Sequence, residues 1–267
     1  MSALPTSSLL IATYNWPAAL ELCLLSVLRQ TVLPTEVIIA DDGSTNETRA
    51  VIEEYRNKFS IPLKHVWHPD EGFRLGHIRN KAMAAATGDY LIQADGDLIL
   101  HSLFIEDHLN AARPGYFIGG SRVLLNPTLS ASLLAKKSLS VSLFKKGVNN
   151  KFNALHAPSI ARFIELFKKE KGLYNLRGCN MSFWKKDILK VNGYNENISG
   201  WGREDTELVL RFYNSGLKRV YFKLQGIVYH LYHKEKERDR LALNDEIVKA
   251  TASNKLTWCE NGINQYL

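Results

Sequence analysis

Two aspartates separated by one glycine are the first residues in this sequence that suggest a chemical role. Asp95-Gly96-Asp97 follows the run Tyr-Leu-Ile-Gln-Ala. The small residue between them lets both carboxylates bend toward one hard divalent cation that also grips phosphate oxygens. Asp-Gly-Asp also forms ordinary turns, so the motif is weak when taken alone. Asp95 and Asp97 are therefore candidate ligands of a cation such as Mg²⁺ or Mn²⁺.

A second cluster, Gly200-Trp201-Gly202-Arg203-Glu204-Asp205, combines an aromatic ring with two carboxylates. The flanking glycines make a flexible loop that can lay the Trp201 ring against a ring-shaped ligand. Glu204 and Asp205 open the following predicted helix, where the positive end of the helix dipole favours acidic side chains. Taken alone, helix capping beside a buried tryptophan is the simpler explanation of this cluster.

Two histidines, His230 and His233, lie on or just after a predicted strand near the end of the chain. Paired histidines are more often packing or surface residues than ligands. Beside a two-carboxylate site, however, an imidazole can serve as the third ligand of a borderline cation such as Mn²⁺. The residues leave open which of the two would bind.

The elements that must position these clusters alternate along the first half of the chain. The apolar patterns predict strands at residues 8–13, 36–40, 63–67 and 90–94, and helices at 16–30, 47–58 and 78–86. Such alternation predicts right-handed βαβ units, a mostly parallel sheet and an α/β fold. Ligands of these sheets gather at the carboxyl ends of the strands. We therefore expect one polar edge formed by Thr13-Tyr14-Asn15, Asp41-Asp42 and Asp95-Gly96-Asp97.

The second half of the chain has a different organisation. Strands are predicted at residues 116–125, 178–184, 220–223 and 226–232, and helices at 205–214 and 241–252. Between these two halves, residues 129–171 show no convincing strand and are rich in serine, lysine and leucine. We expect this basic segment to form amphipathic helices with apolar faces that include Leu133, Leu134, Leu143 and Phe144, and then Phe163, Ile164 and Phe167.

Composition limits the classes of protein that the chain can represent. Its 267 residues are 45% hydrophobic and 23% charged, which excludes a disordered or collagen-like chain. No apolar run approaches the roughly 20 residues that span a bilayer. Three widely spaced cysteines without a CxxC pair favour a reducing compartment. The first residues lack a secretory signal pattern, so we expect a cytoplasmic protein.

The net charge of +7 is concentrated in the basic segment, which has nine basic and two acidic residues. A local surplus of cations suggests an anionic partner such as a membrane surface or a phosphorylated substrate. A solvated face on an ordinary helix would explain the charges equally well. The segment is aliphatic with phenylalanine rather than rich in arginine and stacking aromatics, so we expect no nucleic-acid partner.

Read together, these motifs resemble the inverting GT-A glycosyltransferases of family 2 over most of the chain. Thr13-Tyr14-Asn15 with Asp41-Asp42-Gly43-Ser44 resembles the opening of that family, and Asp95-Gly96-Asp97 resembles its DxD metal motif. The run Gly72–Asn80, followed by Ala-Thr-Gly-Asp-Tyr, is similar to its second nucleotide-contacting segment. Residues 177–205 resemble the C-terminal half of β-1,4-galactosyltransferases and bacterial chondroitin polymerases. The basic segment has no counterpart in this resemblance.

The resemblance implies a GT-A, Rossmann-like fold and a role for each matched residue. It implies that Thr13, Tyr14, Asn15, Asp41, Asp42, Arg74 and Arg79 bind the nucleotide, and that Arg177 and Asn180 line the sugar pocket. Trp201 would form the floor beneath a sugar ring, Glu204 would bind hydroxyl groups, and Asp205 would be the general base. Asp97 would hold the metal, with Asp95 assisting. His230 matches the ligand position by its Val-Tyr-His setting, and His233 matches it by spacing.

The implied activity is metal-dependent, inverting transfer from a nucleotide-sugar, with UDP-hexose or UDP-N-acetylhexosamine as the expected donor. The acceptor would be a glycan or lipid-linked hydroxyl in the synthesis of bacterial surface polysaccharide or lipopolysaccharide. The expected organisation is a nucleotide-sugar-binding half (1–125), a basic helical insertion (126–172) and an acceptor-binding, catalytic half (173–267). Residues 129–171 would rest on the inner face of the cytoplasmic membrane. A nucleotidyltransferase and a non-catalytic carbohydrate-binding protein remain the alternatives.

Overall fold

The computed structural model describes residues 4–167, 177–234 and 239–267. Its strands are β1 (Ser7–Thr13), β2 (Glu36–Asp41), β3 (Leu63–Trp67), β4 (Tyr90–Asp95), β5 (Leu98–Leu100), β6 (Tyr116–Gly119), β7 (Val123–Leu125), β8 (Val148–Asn149), β9 (Asn180–Trp184), β10 (Lys218–Val220) and β11 (Val228–His230). Its α-helices are α1 (Pro17–Val27), α2 (Asn46–Arg56), α3 (Leu75–Ala85), α4 (Phe104–Ala111), α5 (Pro127–Ala135), α6 (Pro158–Glu165), α7 (Lys185–Lys190), α8 (Glu204–Asn214) and α9 (Leu241–Ser253). Short 3₁₀ helices cover Lys151–Ala154 and Ile263–Tyr266. None of the described helices is both long and apolar enough to cross a bilayer.

Within the described residues, a seven-stranded sheet has the order β10-β6-β9-β4-β1-β2-β3. Strands β4, β1, β2 and β3 pair in parallel, whereas β9 runs antiparallel between β4 and β6. The predicted mostly parallel α/β sheet is therefore confirmed. A smaller sheet of order β5-β11-β7-β8 lies beside the large one. Because β9 comes from the second half of the chain, both halves contribute to one sheet.

Apolar strands explain why the large sheet forms a buried central layer. Residues 9–12 and 37–40 are continuous apolar runs, and both faces of these strands are buried. Side chains of α1, α2 and α4 pack in the hydrophobic cluster on one face. Those of α3, α7 and α8 pack in a second cluster. This layering holds the carboxyl ends of β1 and β4 next to the start of α8.

One predicted strand is divided in the structure. Instead of a single strand at 116–125, β6 ends at Gly119 and β7 begins at Val123 in the other sheet. The Gly120 amide donates to the Asn180 carbonyl at 2.7 Å, and a Cβ at Gly120 would lie 2.4 Å from the Asn180 side chain. This close approach needs glycine, and it turns the chain from one sheet into the next.

The basic segment is less helical than its sequence predicts. Helix α5 ends at Ala135, so the expected amphipathic helix through Leu143 and Phe144 is wrong. Leu133 is buried in the cluster that joins α5 and α1 to the smaller sheet, so it cannot face a membrane. The basic residues at 168–171 lie outside the described residues.

Candidate active site

A cavity of about 730 Å³ opens at the carboxyl ends of β1 and β4, beside the start of α8. This volume is typical of pockets that enclose a small ligand or cofactor. Many of the residues selected from the sequence line it, namely Thr13, Tyr14, Asn15, Asp42, Arg79, Asp95, Asp97, Arg177, Trp201, Glu204, Asp205 and His233. The fold therefore brings motifs from both halves of the chain around a single space.

Arg79 connects the two carboxylate motifs of the cavity. Its Nη2 donates to Asp95 Oδ1 at 2.9 Å, and its Nη1 donates to Asp205 Oδ1 at 3.0 Å. Nη1 also lies 4.0 Å from Glu204 Oε1. Burial disfavours the charge, but Tyr194 and these carboxylates hold the pKa of Arg79 well above its usual value. Its side chain is almost wholly buried and holds the two carboxylate motifs together at the cavity wall. The nucleotide contact that the resemblance implies for Arg79 stays a prediction.

Three donors fix the orientation of the Asp205 carboxylate. Besides Arg79, the Tyr194 hydroxyl donates to Oδ1 at 3.0 Å and the Gly178 amide donates to Oδ2 at 2.8 Å. A Cβ at residue 178 would lie 2.0 Å from Oδ1, so this approach requires glycine. A carboxylate has about four lone-pair positions, which leaves one of them to receive a proton. The Asp205 side chain is 19% exposed, so that position is within reach of a ligand.

The neighbouring Glu204 is held very differently. Within the described part of the chain, its Oε2 is buried without a hydrogen-bond partner. Burial and the adjacent Asp205 carboxylate raise the pKa of Glu204 to about 8. The raised pKa favours the protonated form of Glu204, which can donate a hydrogen bond, whereas Asp205 is arranged as an acceptor.

Both candidate histidines converge on Asp97. Asp97 Oδ2 lies 3.6 Å from His230 Nε2 and 3.3 Å from His233 Nε2. One potential ligand atom from each residue lies within 4.8 Å of the others. His233 Nδ1 donates to the Lys234 carbonyl at 2.8 Å, which leaves the Nε2 lone pair available to a cation. Asp95, in contrast, is directed at Arg79 and lies outside this cluster.

The electrostatics of this cluster fit a divalent cation. Burial and the nearby Asp95 raise the pKa of Asp97 to about 8, and its Oδ1 is buried without a partner among the described residues. Burial and the charge of Arg122 lower the pKa of His230 to about 4. A cation stabilises an ionised carboxylate and neutral imidazoles, and one carboxylate with two imidazoles is a donor set that binds divalent first-row metals. Asp97, His230 and His233 would hold such an ion.

Asp42, which also lines the cavity, is held by two hydrogen bonds. Its Oδ1 bonds His68 Nε2 at 2.7 Å, and its Oδ2 accepts from the Arg74 backbone amide at 3.0 Å. The Tyr14 hydroxyl donates to Asp70 at 2.8 Å, while the Tyr14 ring remains 40% exposed at the cavity. These bonds fix the wall where the resemblance places the nucleotide.

Two residues expected to bind the nucleotide do not line the cavity. Asp41 is fully buried, where Oδ1 accepts from the Ser44 amide at 2.8 Å and Oδ2 bonds His65 Nε2 at 2.9 Å. The Arg74 guanidinium lies 2.7 Å from the Glu71 carboxylate. The Asp41 carboxylate is engaged within the protein, and Arg74 pairs with an exposed carboxylate outside the cavity lining.

Asn180, expected in the sugar pocket, is also an internal residue. Its Nδ2 donates to the carbonyls of Ser121 and Gly226, both at 2.8 Å, and its Oδ1 bonds His108 Nε2 at 3.0 Å. The side chain is fully buried and lies outside the cavity lining. Asn180 holds β9 against the turn after β6 instead of contacting a sugar.

The sequence reasoning missed Arg122 and Trp16, which also line the cavity. Arg122 favours ionisation of Asp97 and disfavours protonation of His230, so its charge acts on the proposed metal cluster. The edge of the Trp16 ring meets His233, with the centroids 6.2 Å apart. The pair Gly119-Gly120 marks a strand end and could have located Arg122, since polar residues after strand ends collect at the site.

Two known families match this chain, and each match contributes residues to the cavity. Residues 8–186 match the family described as Glycosyl transferase family 2, and residues 158–234 match one described as N-terminal domain of galactosyltransferase. Asp95 and Asp97 lie in the first match alone. Glu204, Asp205 and both histidines lie in the second alone, so the cavity draws on both.

Individual relatives share much of this chain. It is 29% identical over 258 residues to a chondroitin synthase of Escherichia coli, covering 88% of this chain and 36% of that protein. It is 30% identical over 261 residues to a hyaluronan synthase of Pasteurella multocida, covering 88% and 26%. A validoxylamine A glucosyltransferase of Streptomyces hygroscopicus subsp. limoneus is 29% identical over 227 residues, covering 81% and 49%. The chain thus spans between about a quarter and a half of the length of these curated relatives.

Solved structures show the same fold at low sequence identity. The mannosyltransferase PcManGT of Pyrobaculum calidifontis, in complex with GDP-Man and Mn²⁺, has a TM-score of 0.64 at 16% identity, covering 95% of this chain and 65% of its own. GalNAc-T7 with UDP, GalNAc and Mn²⁺ has a TM-score of 0.68 at 16% identity, covering 94% and 48%. These likenesses establish the GT-A fold.

Proposed function

Because the chain belongs to glycosyl transferase family 2, we propose that it transfers a hexose or N-acetylhexosamine from a UDP-sugar to an acceptor hydroxyl with inversion. One observation carries this proposal. Asp97 and His233 of the Asp97–His230–His233 cluster line the same cavity as Glu204 and Asp205. A cation for the leaving diphosphate and a general base for the acceptor hydroxyl are what a one-step displacement at an anomeric carbon requires.

Asp205 is the proposed general base. The acceptor oxygen forms a bond to the anomeric carbon while its proton passes to Asp205, and the bond from that carbon to the diphosphate oxygen breaks. The three hydrogen bonds to Asp205 support this role because they hold the carboxylate in one orientation. Glu204, in its protonated form, would donate a hydrogen bond to a sugar hydroxyl.

The donor end of the cavity supports binding of a nucleoside diphosphate. When bound, Mn²⁺ or Mg²⁺ neutralises charge on the leaving diphosphate. Arg122 would contribute a second positive charge there, since a planar guanidinium matches phosphate oxygens. Thr13, Tyr14, Asn15 and Asp42 would form the nucleoside wall, and Arg177 and Trp201 would contact the sugar. Mn²⁺ with nucleotide ligands in the solved neighbours is consistent with this assignment.

The setting is proposed from the relatives. Chondroitin and hyaluronan synthases build polysaccharides, so we propose a glycan or lipid-linked acceptor in bacterial surface polysaccharide or lipopolysaccharide synthesis. Such acceptors would be extended on the cytoplasmic side of the membrane. The chain matches only part of these longer proteins, so their complete activities are not transferred to it.

Donor-dependent thermal unfolding tests the proposal. A ligand that binds only the folded state raises the unfolding temperature. We expect stabilisation by a UDP-hexose or UDP-N-acetylhexosamine with Mn²⁺, loss of this stabilisation in chelator, and its loss in Asp97→Asn. Release of UDP should accompany stabilisation in the wild type. Equal stabilisation in chelator would contradict the metal cluster, and stabilisation by GDP-sugars alone would contradict the UDP assignment.

The same assay separates the alternatives. A non-catalytic carbohydrate-binding protein would be stabilised without releasing UDP, even with a panel of acceptors. The nucleotidyltransferase alternative gains no support, because both matched families are described as glycosyltransferases.

A further inference from the structure

Exposed apolar side chains are concentrated in one short part of the molecule. Among the described residues, seven of the sixteen exposed large hydrophobic side chains lie between residues 144 and 167. We call residues 144–167 the docking segment. Scattered apolar side chains are normal on a protein surface, whereas a contiguous exposed apolar patch marks a binding surface.

Helix α6 shows how this exposure is organised. Ile160, Phe163 and Phe167 follow one another at helical spacing and are 56%, 64% and 74% exposed. The Phe163 and Phe167 rings contact each other with their centroids 5.2 Å apart. On the opposite side Ala161 is fully buried against the protein. The helix therefore turns its aromatic face outward and its small face inward.

Specific bonds hold this outward face in place. Glu165 pairs with Arg113 and accepts a hydrogen bond from the Tyr221 amide. At the start of the helix, the Ala157 amide donates to the Leu224 carbonyl at 2.8 Å. These bonds anchor the inner side of α6, so the apolar exposure belongs to a helix that is tied down at both ends.

The positive charge of the docking segment favours an anionic partner. The docking segment contains Lys145, Lys146, Lys151 and Arg162, and its one acidic residue, Glu165, is already engaged by Arg113. A second copy of this chain docked on the same face would bring like charges together. An anionic bilayer attracts each such cation near its surface and accepts aromatic side chains at its interface. We propose that the docking segment binds an anionic lipid bilayer.

The docking segment also connects to the cavity. Asn153 Nδ2 donates to the backbone carbonyl of Arg122 at 2.8 Å, and Arg122 lines the cavity. Lys223 Nζ donates to Asn153 Oδ1 at 3.2 Å on the same connection. A lipid-linked acceptor would thus be delivered near the cavity, a consequence that rests on the proposed function, whereas binding to lipid does not.

Vesicle sedimentation of the full chain tests the inference. We expect sedimentation with phosphatidylcholine vesicles that contain phosphatidylglycerol, little with phosphatidylcholine alone, and release at high salt. Phe163→Ser with Phe167→Ser should weaken binding at least about tenfold, because two aromatic side chains no longer leave water. Lys151→Glu with Arg162→Glu should abolish it. Leu243→Ser with Trp258→Ser, which changes similarly exposed apolar residues elsewhere, should bind like the wild type.

Equal binding to neutral and anionic vesicles, or no binding to anionic vesicles, would overturn the inference. Self-association that the phenylalanine variant abolishes, without vesicle binding, would assign the face to a second copy instead. Donor-dependent stabilisation and UDP release are measured on the same variants. Vesicle binding without either would refute the proposed function and leave the docking surface intact. Catalysis without vesicle binding would do the reverse.

Discussion

The candidate active-site cavity and the docking segment place charge and apolar surface in opposite ways. In the cavity, Arg79 is almost wholly buried and bonded to carboxylates. In the docking segment, Phe163 is exposed to solvent, as is Arg162 beside it. A buried charge is tolerated only with partners, and an exposed aromatic cluster is typical of a surface that meets another phase. Proteins usually expose charged side chains and bury aromatic ones, and each region reverses one half of this pattern. The cavity buries charge, and the docking segment exposes aromatic side chains.

Within the cavity, hydrogen bonding separates fixed groups from groups prepared for a ligand. Asp205 accepts three hydrogen bonds, whereas Asp97 Oδ1 and Glu204 Oε2 have no hydrogen-bond partner among the described residues. Buried polar atoms are nearly always satisfied, so unsatisfied ones point to what the protein binds. The comparison therefore predicts large catalytic effects in the cavity and negligible ones in the docking segment.

The largest effect is expected at Asp205. Asp205→Asn cannot accept the acceptor proton, so turnover should fall roughly 10²–10⁴-fold. The new amide also cannot accept from all three present donors, so thermal unfolding must be measured as the control. Glu204→Gln mimics the protonated side chain and should lose less turnover. A larger loss in Glu204→Gln than in Asp205→Asn would assign the base to Glu204.

Metal ligands come next. His230→Ala and His233→Ala should each weaken Mn²⁺ binding by more than about 100-fold, since losing a direct ligand exceeds the cost of losing a supporting residue. Calorimetric titration of the donor-free protein with Mn²⁺ measures this without relying on turnover. If only one variant binds Mn²⁺ weakly, the other histidine is not a ligand.

Arg79→Lys tests the link between the carboxylate motifs. A lysine ammonium cannot hold Asp95 and Asp205 in the same forked geometry, so turnover should fall about 10–100-fold. Because Arg79 positions other groups, the kinetic loss should appear in kcat more than in KM. Arg56→Lys, on the exposed surface of α2, is the matched control. A change confined to KM would indicate direct donor binding.

Stability of the metal-free protein should depend on pH in a defined window. The pKa of Glu204 is higher in the folded protein than in the unfolded chain. Its contribution to folding stability is therefore fully present below the unfolded-state pKa and is lost as pH rises toward about 8. The pKa of His230 is lowered on folding, so this residue affects stability only below about pH 6.5, where it makes stability rise with pH. Between pH 6.5 and 8, unfolding in chelator should therefore show declining stability. Glu204→Gln should remove at most about 2 kcal/mol of that decline in unfolding free energy. If the variant shows the same dependence of unfolding free energy on pH as the wild type, the raised pKa of Glu204 is contradicted.

The smallest effect is expected from the docking segment. Lys151→Glu with Arg162→Glu should change turnover on a soluble acceptor by less than about twofold, because both side chains are exposed to solvent and neither residue lines the cavity. Lys137 is a poorer choice, since it pairs with Glu21 and its reversal would disturb that contact. A strong loss on the soluble acceptor would mean that the segment belongs to the catalytic site.

Local patterns in the sequence were sufficient for the fold class and for much of the site. The apolar runs at 9–12 and 37–40 predict buried parallel strands, and the structure contains them. Asp-Gly-Asp directly after such a strand must lie at the ligand edge, because strand ends share that edge. These features depend on neighbouring residues, so the order of residues determines them.

Tertiary structure alone decided which polar groups face the cavity. Asn180 is turned inward by the carbonyls of Ser121 and Gly226, and Arg79 is held by Asp95 and Asp205. A hydrogen-bond partner dozens of residues away in the chain leaves no local signal. The pairing of both histidines with Asp97 likewise follows from where β11 lies against β5. Local sequence selects the residue types, and long-range contacts determine whether each one meets the protein or its ligand.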